Sequence, residues 1–157
     1  MGIPAHPLLI HAAVVFVPLL ALLTIAYGLL PVVRAHTRWV LGLLALAAPV
    51  SALLAKLSGD AFFARLQSRN RVTPEFVPTI EAHQRLGTLT LYATIVLGLA
   101  TLALVYVVAP TGAATGAGSR RVLSLVLVAL SLVAAAVSLY YVVRTGDSGA
   151  KAVWTGS

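Results

Sequence analysis

Four histidines and four carboxylates make up the metal-ligating and proton-exchanging inventory of this 157-residue chain, which has no cysteine. Thiolate metal sites, iron-sulfur clusters, disulfides and thioether-attached haem are therefore excluded, and any metal centre must use His, Asp or Glu. The run His6-Pro7-Leu8-Leu9-Ile10-His11 places Pro in a first helical turn. His6 then lies near a helix start, with His11 more than one turn further in. Glu81 and His83 stand on a second such approach, and Asp60 and Asp147 close two other apolar runs. Two imidazoles facing each other, His11 and His83, would suit the axial positions of a b-type haem, with Arg85 or Arg144 on its propionates. His6, His11, Asp60, Glu81, His83 and Asp147 together form a mixed nitrogen and oxygen set suited to zinc, iron or manganese. Both cofactor readings stand at this level.

The elements that must carry these residues are membrane helices. The chain is 60% hydrophobic and 10% charged, with a mean hydropathy of +0.99, which is too apolar for a water-soluble domain. Four stretches are long enough to cross a hydrocarbon core of about 30 Å, at 8–33, 39–57, 86–109 and 122–143. In the second, charge is absent to Ala55 and Lys56 snorkels at the end. An isolated span must satisfy its own backbone hydrogen bonds, so all four are helices. The expected fold is all-α, an up-down-up-down four-helix transmembrane bundle forming one domain, with its N-terminal span retained rather than cleaved.

Alternating spans bring both termini to one side, together with the loop over 58–85 and all four carboxylates. The opposite side holds Arg34, Arg38, Arg120 and Arg121 and no acid. The net charge of +7 is thus read as contact with lipid phosphates rather than with nucleic acid. Basic residues on the two sides give conflicting orientation signals, and sidedness stays open. Within the loop, residues 60–66 predict a short amphipathic helix lying in the interface, and Thr73-Pro74-Glu75 predicts a helix start. A two-hairpin repeat is suggested by His11 with Ser58-Gly59-Asp60 against His83 with Thr145-Gly146-Asp147. Spans one and three would be diagonal neighbours.

Plainer roles compete at each position. Asp60 could cap the interfacial helix, and Asp147 could belong to a Thr-Gly-Asp-Ser-Gly turn. His6 could be a capping or interfacial residue, and His36 sits in a basic turn with no acidic neighbour. Ser124, Ser131 and Ser138, seven apart, form a small-residue stripe suited to close helix packing.

The opening His6-Pro7-Leu8-Leu9-Ile10-His11, with Gly59-Asp60 and His83, resembles an uncharacterised bacterial membrane family catalogued as domain of unknown function 2231, over almost the whole chain. The closing Arg144-Thr145-Gly146-Asp147-Ser148-Gly149-Ala150-Lys151-Ala152-Val153-Trp154 looks like its actinobacterial branch, in which His often stands where this chain has Asp147. That departure puts a further imidazole ligand in doubt. The resemblance implies a four-span protein of the bacterial cytoplasmic membrane. Because some members are fused to cytochrome c or Rieske modules, it also implies a place near membrane electron transfer. The leading expectation is a membrane protein binding haem b or a non-haem metal for redox work. The alternative is a non-catalytic accessory subunit that packs against a larger respiratory or transport complex through small-residue faces; the partners expected beside the lipid bilayer are a respiratory or redox complex or further copies of this chain in a homo-oligomer. A proton conductor ranks below both, because the span centres lack charge. Hydrolase and phosphate-binding motifs are absent from the sequence.

Overall fold

The computed structural model describes residues 5–108 and 117–155. It contains four helices, α1 (Ala5–Leu29), α2 (Arg34–Ser68), α3 (Val77–Val107) and α4 (Ala117–Thr155), with a 3-10 turn at Pro31–Val33 between the first two. All four are long and apolar enough to cross a membrane. Each packs against its two neighbours in a ring, and α1 and α3 also touch across the centre.

The helix ends correct several local expectations. α1 stops at Leu29 because Pro31 has no N–H and holds Leu30 extended, with φ −115° and ψ 94°. Arg34 then closes the break: its Nε donates to the Tyr27 carbonyl at 2.9 Å and its Nη2 to the Gly28 carbonyl at 3.0 Å. These are carbonyls that a helix C-terminus leaves unpaired. The basic stretch 34–38 is accordingly the first turn of α2 rather than a loop.

No separate interfacial helix lies over 60–66; that segment continues α2 to Ser68. An i,i+4 ion pair between Lys56 and Asp60 and the Phe62 ring stacked on His6 hold the extension upright. Thr73-Pro74-Glu75 falls in a turn, and α3 starts instead at Val77 with Pro78 in its first turn. The expected turn at 145–149 is helical, part of α4, and Asp147 pairs with Lys151 one turn on. At 1.5 Å per residue, α2, α3 and α4 are each more than about 45 Å long, against a hydrocarbon core of about 30 Å. Their excess rises on the side of the α1 start as a polar head.

The buried residues expose a duplication. Ala13, Val17, Leu20, Ala21, Thr24 and Tyr27 line the inner face of α1, and Thr90, Thr94, Leu97, Gly98, Thr101 and Leu104 line that of α3, each 77 positions on. In α2 the inner residues Leu41, Leu44, Ala45, Ala48 and Ala52 recur 90 positions on as Ser131, Ala134, Ala135, Ser138 and Val142 of α4. Parallel hairpins so matched are related by a pseudo-two-fold axis along the membrane normal. Thr24 and Thr101, equivalent residues, meet near it with hydroxyl oxygens 2.8 Å apart. The register differs from the one expected from sequence: His6, not His11, corresponds to His83, and Ser58-Gly59 corresponds to Ser148-Gly149.

The serine stripe of α4 is used within the bundle, since Ser131 and Ser138 are 1% and 0% exposed. Helices α2 and α3 approach closely at Gly98, where a Cβ would lie 2.7 Å from the Ala45 carbonyl oxygen and 3.3 Å from Pro49 Cγ. Both neighbours are rigid. Gly98→Ala is therefore expected to force α2 and α3 apart and lower stability by roughly 1–3 kcal/mol. Gly42→Ala, at a glycine whose Cβ would meet nothing within 4 Å, should not. Thermal unfolding of both variants in detergent checks the contrast.

Candidate ligand site at the head of the bundle

Two imidazoles reach the same end of the bundle from diagonal helices, and each is seated on the neighbouring helix in the same way. His6, in the first turns of α1, places Nδ1 3.1 Å from the Ala55 carbonyl and 3.0 Å from Ser58 Oγ on α2. His83, one turn before the apolar part of α3 at Leu86, places Nδ1 2.8 Å from Ser148 Oγ on α4. Ser58 donates to the Ala55 carbonyl at 2.8 Å, and Ser148 to the Thr145 carbonyl at 2.9 Å.

A glycine makes room for each ring. A Cβ on Gly59 would lie 3.0 Å from Cε1 of His6, and one on Gly149 would lie 3.0 Å from Cε1 of His83. Both histidines are half-buried. Burial, with a smaller contribution from His6, holds the His83 imidazole below its usual pKa range.

Other candidates lie around this pair without joining it. Asp60 is held by Lys56 and accepts a hydrogen bond from Gln84 Nε2 at 3.2 Å, tying α2 to α3 beside His83. Asp147 is exposed and paired with Lys151 at 2.8 Å. Glu81 and Arg85 are exposed, and Arg144 is exposed with its guanidinium 6.0 Å from the Tyr140 ring centre. His11 is also exposed; five residues beyond His6, it is turned about 140° away around α1. The structure thus sets His6 and His83 at the same end of the bundle, each held on its neighbouring helix, where the sequence had paired His11 with His83. Among the described residues, no group of three or more His, Asp or Glu is arranged to hold one metal ion. The six-residue nitrogen and oxygen set is not assembled.

Sequence reasoning passed over Ser58, Ser148, Gly59 and Gly149 as working parts of the site. The signal was present as a Ser-Gly pair repeated 90 positions apart, hidden because the Gly-Asp pairs drew the alignment one turn out of register.

A bundle of four apolar helices with a polar head bearing two matched imidazoles defines a multi-pass membrane protein. The chain belongs to the predicted membrane protein family DUF2231, whose profile matches residues 2–157. Neither the curated proteins nor the solved structures include a match.

The glycine seats give a direct test. Gly59→Ala and Gly149→Ala should each displace one imidazole while the bundle stays folded, because the atom met is the end of a movable side chain. Histidine ring resonances should shift for His6 in the first variant and His83 in the second, with helical circular dichroism unchanged.

Proposed function

We propose that this chain is a cofactor-binding membrane protein of a redox or electron-transfer system, with His6 and His83 as ligands to the iron of haem b. The observation that supports this reading is the pair of seated rings. Both Nδ1 atoms are engaged with a neighbouring helix, which leaves Nε2 of each ring for a ligand at one membrane face. Metal-ligating histidines characteristically have their second nitrogen held in this way.

The donor count favours haem over a bare ion. A porphyrin supplies four ligands and asks two of the protein, whereas structural zinc takes four protein ligands and catalytic zinc three. Among the described residues no group of three or more His, Asp or Glu is arranged to hold one ion, and a pair of imidazoles matches the first requirement. Arg85 and Arg144, exposed on the same head, carry the charge that would meet propionates. Bound haem would supply one-electron chemistry. The protein's part is to hold two imidazoles at fixed spacing, with Gly59 and Gly149 admitting the rings between tightly packed helices.

Purified protein from haem-replete cells, or apoprotein titrated with hemin, should show the Soret and visible bands of six-coordinate low-spin haem. His6→Ala and His83→Ala should each abolish that spectrum, and His11→Ala and His36→Ala should leave it intact. A protein that stays colourless with hemin overturns the haem assignment. If metal analysis also finds no bound ion, the broader cofactor reading falls with it.

A further inference from the structure

We infer that Ser58 and Ser148 are positioning residues that lock His6 and His83 in the same tautomer, with hydrogen on Nδ1 and a lone pair on Nε2. The inference rests on hydrogen accounting at each seat, and it deepens the ligand reading above.

A serine hydroxyl has one hydrogen. That of Ser58 goes to the Ala55 carbonyl, and that of Ser148 goes to the Thr145 carbonyl. Each Oγ can then only accept from the ring nitrogen beside it, so each Nδ1 must carry a hydrogen. The Ala55 carbonyl, 3.1 Å from His6 Nδ1, shares that hydrogen with Ser58 Oγ and favours the same tautomer, because a carbonyl cannot donate.

The neutral ring holds one hydrogen, so Nε2 is left as the acceptor in both. Since the two seats are related by the pseudo-two-fold axis, the lone pairs form an equivalent pair, which is what a ligand between them would meet. A free imidazole would instead divide its population between tautomers and lose part of its binding free energy to selecting one.

The test uses the full chain in detergent micelles, labelled with nitrogen-15 in histidine and held well above the imidazole titration range. Two-bond proton–nitrogen correlation reads the tautomer of each ring, with His6→Gln and His83→Gln assigning the signals. His6 and His83 should both show the Nδ1–H form. Ser148→Ala should move only His83 toward a mixture, and Ser58→Ala should move only His6, by less, because the Ala55 carbonyl still accepts from its Nδ1. Hemin affinity should fall about 10–100-fold in each serine variant.

Wild-type rings already in a mixture, or in the Nε2–H form, would overturn the inference even if a serine variant failed to fold. So would serine variants that leave both rings unchanged. The two proposals separate cleanly: locked tautomers without hemin uptake would remove the haem assignment alone, and hemin uptake with unlocked rings would remove this one alone.

Discussion

The architecture of the head turns on one contact made twice, an imidazole from one helix laid on a glycine of the next and fastened through Nδ1 to a serine one residue earlier. Each contact needs the helices close together, because a Cβ in the glycine's place would lie 3.0 Å from the ring. It also needs the serine's own hydrogen committed to the carbonyl three residues back. In lipid such a device is economical. Polar groups withdrawn from water must find partners inside the protein, and here one hydroxyl satisfies a carbonyl and a ring nitrogen at once. The long helices follow from it: α2 must pass Ser58 and α4 must pass Ser148 to reach the rings, which carries both beyond the hydrocarbon.

Duplication explains why the two halves agree where they face each other and differ elsewhere. Residues on the inner faces of α1 and α3 keep one spacing, yet the α3 face has Thr90 and Thr94 where α1 has Ala13 and Val17. Thr90 uses its hydroxyl to reach Thr145 Oγ1 at 2.7 Å, a link across α3 and α4 whose counterpart, Ala13 beside Ala55, is apolar. In α4, Ser131 and Ser138 stand where α2 has Leu41 and Ala48. Their hydroxyls find no hydrogen-bond partner in the core, so smallness rather than polarity is what they bring to the packing.

Much of the fold was legible in the sequence because membrane burial is a strong and nearly one-dimensional signal. Uncharged runs of spanning length fixed the number of helices, and their alternation fixed the face shared by His6, His83, Asp60 and Asp147. Helix ends were harder to read, since an amphipathic stretch such as 60–66 has the same periodicity whether it lies on the membrane or prolongs a span. The choice was made by Lys56–Asp60 and by Phe62 against His6, the second a contact between residues 56 positions apart. The imidazole pair was harder to read for a related reason. Depth along the chain pointed to His11, whereas the ring fastened to a neighbouring helix as His83 is fastened to α4 is that of His6, through a contact between residues 52 positions apart that periodicity does not carry.

The equivalence of the two imidazoles ends just outside their seats, and the difference has a direction. Phe62 stacks on His6 with ring centres 6.3 Å apart, while the corresponding residue beyond His83 is Ala152. Asp60 accepts from Gln84, but the residues at the matching positions are Ala150 and Pro7, so no second bridge of that kind forms. One ring is therefore covered by an aromatic side chain, and the other stands beside a carboxylate bridge. A bound metal would meet two nitrogen donors of the same kind in unlike surroundings, and apolar cover and nearby charge are among the means by which a protein tunes a metal's potential.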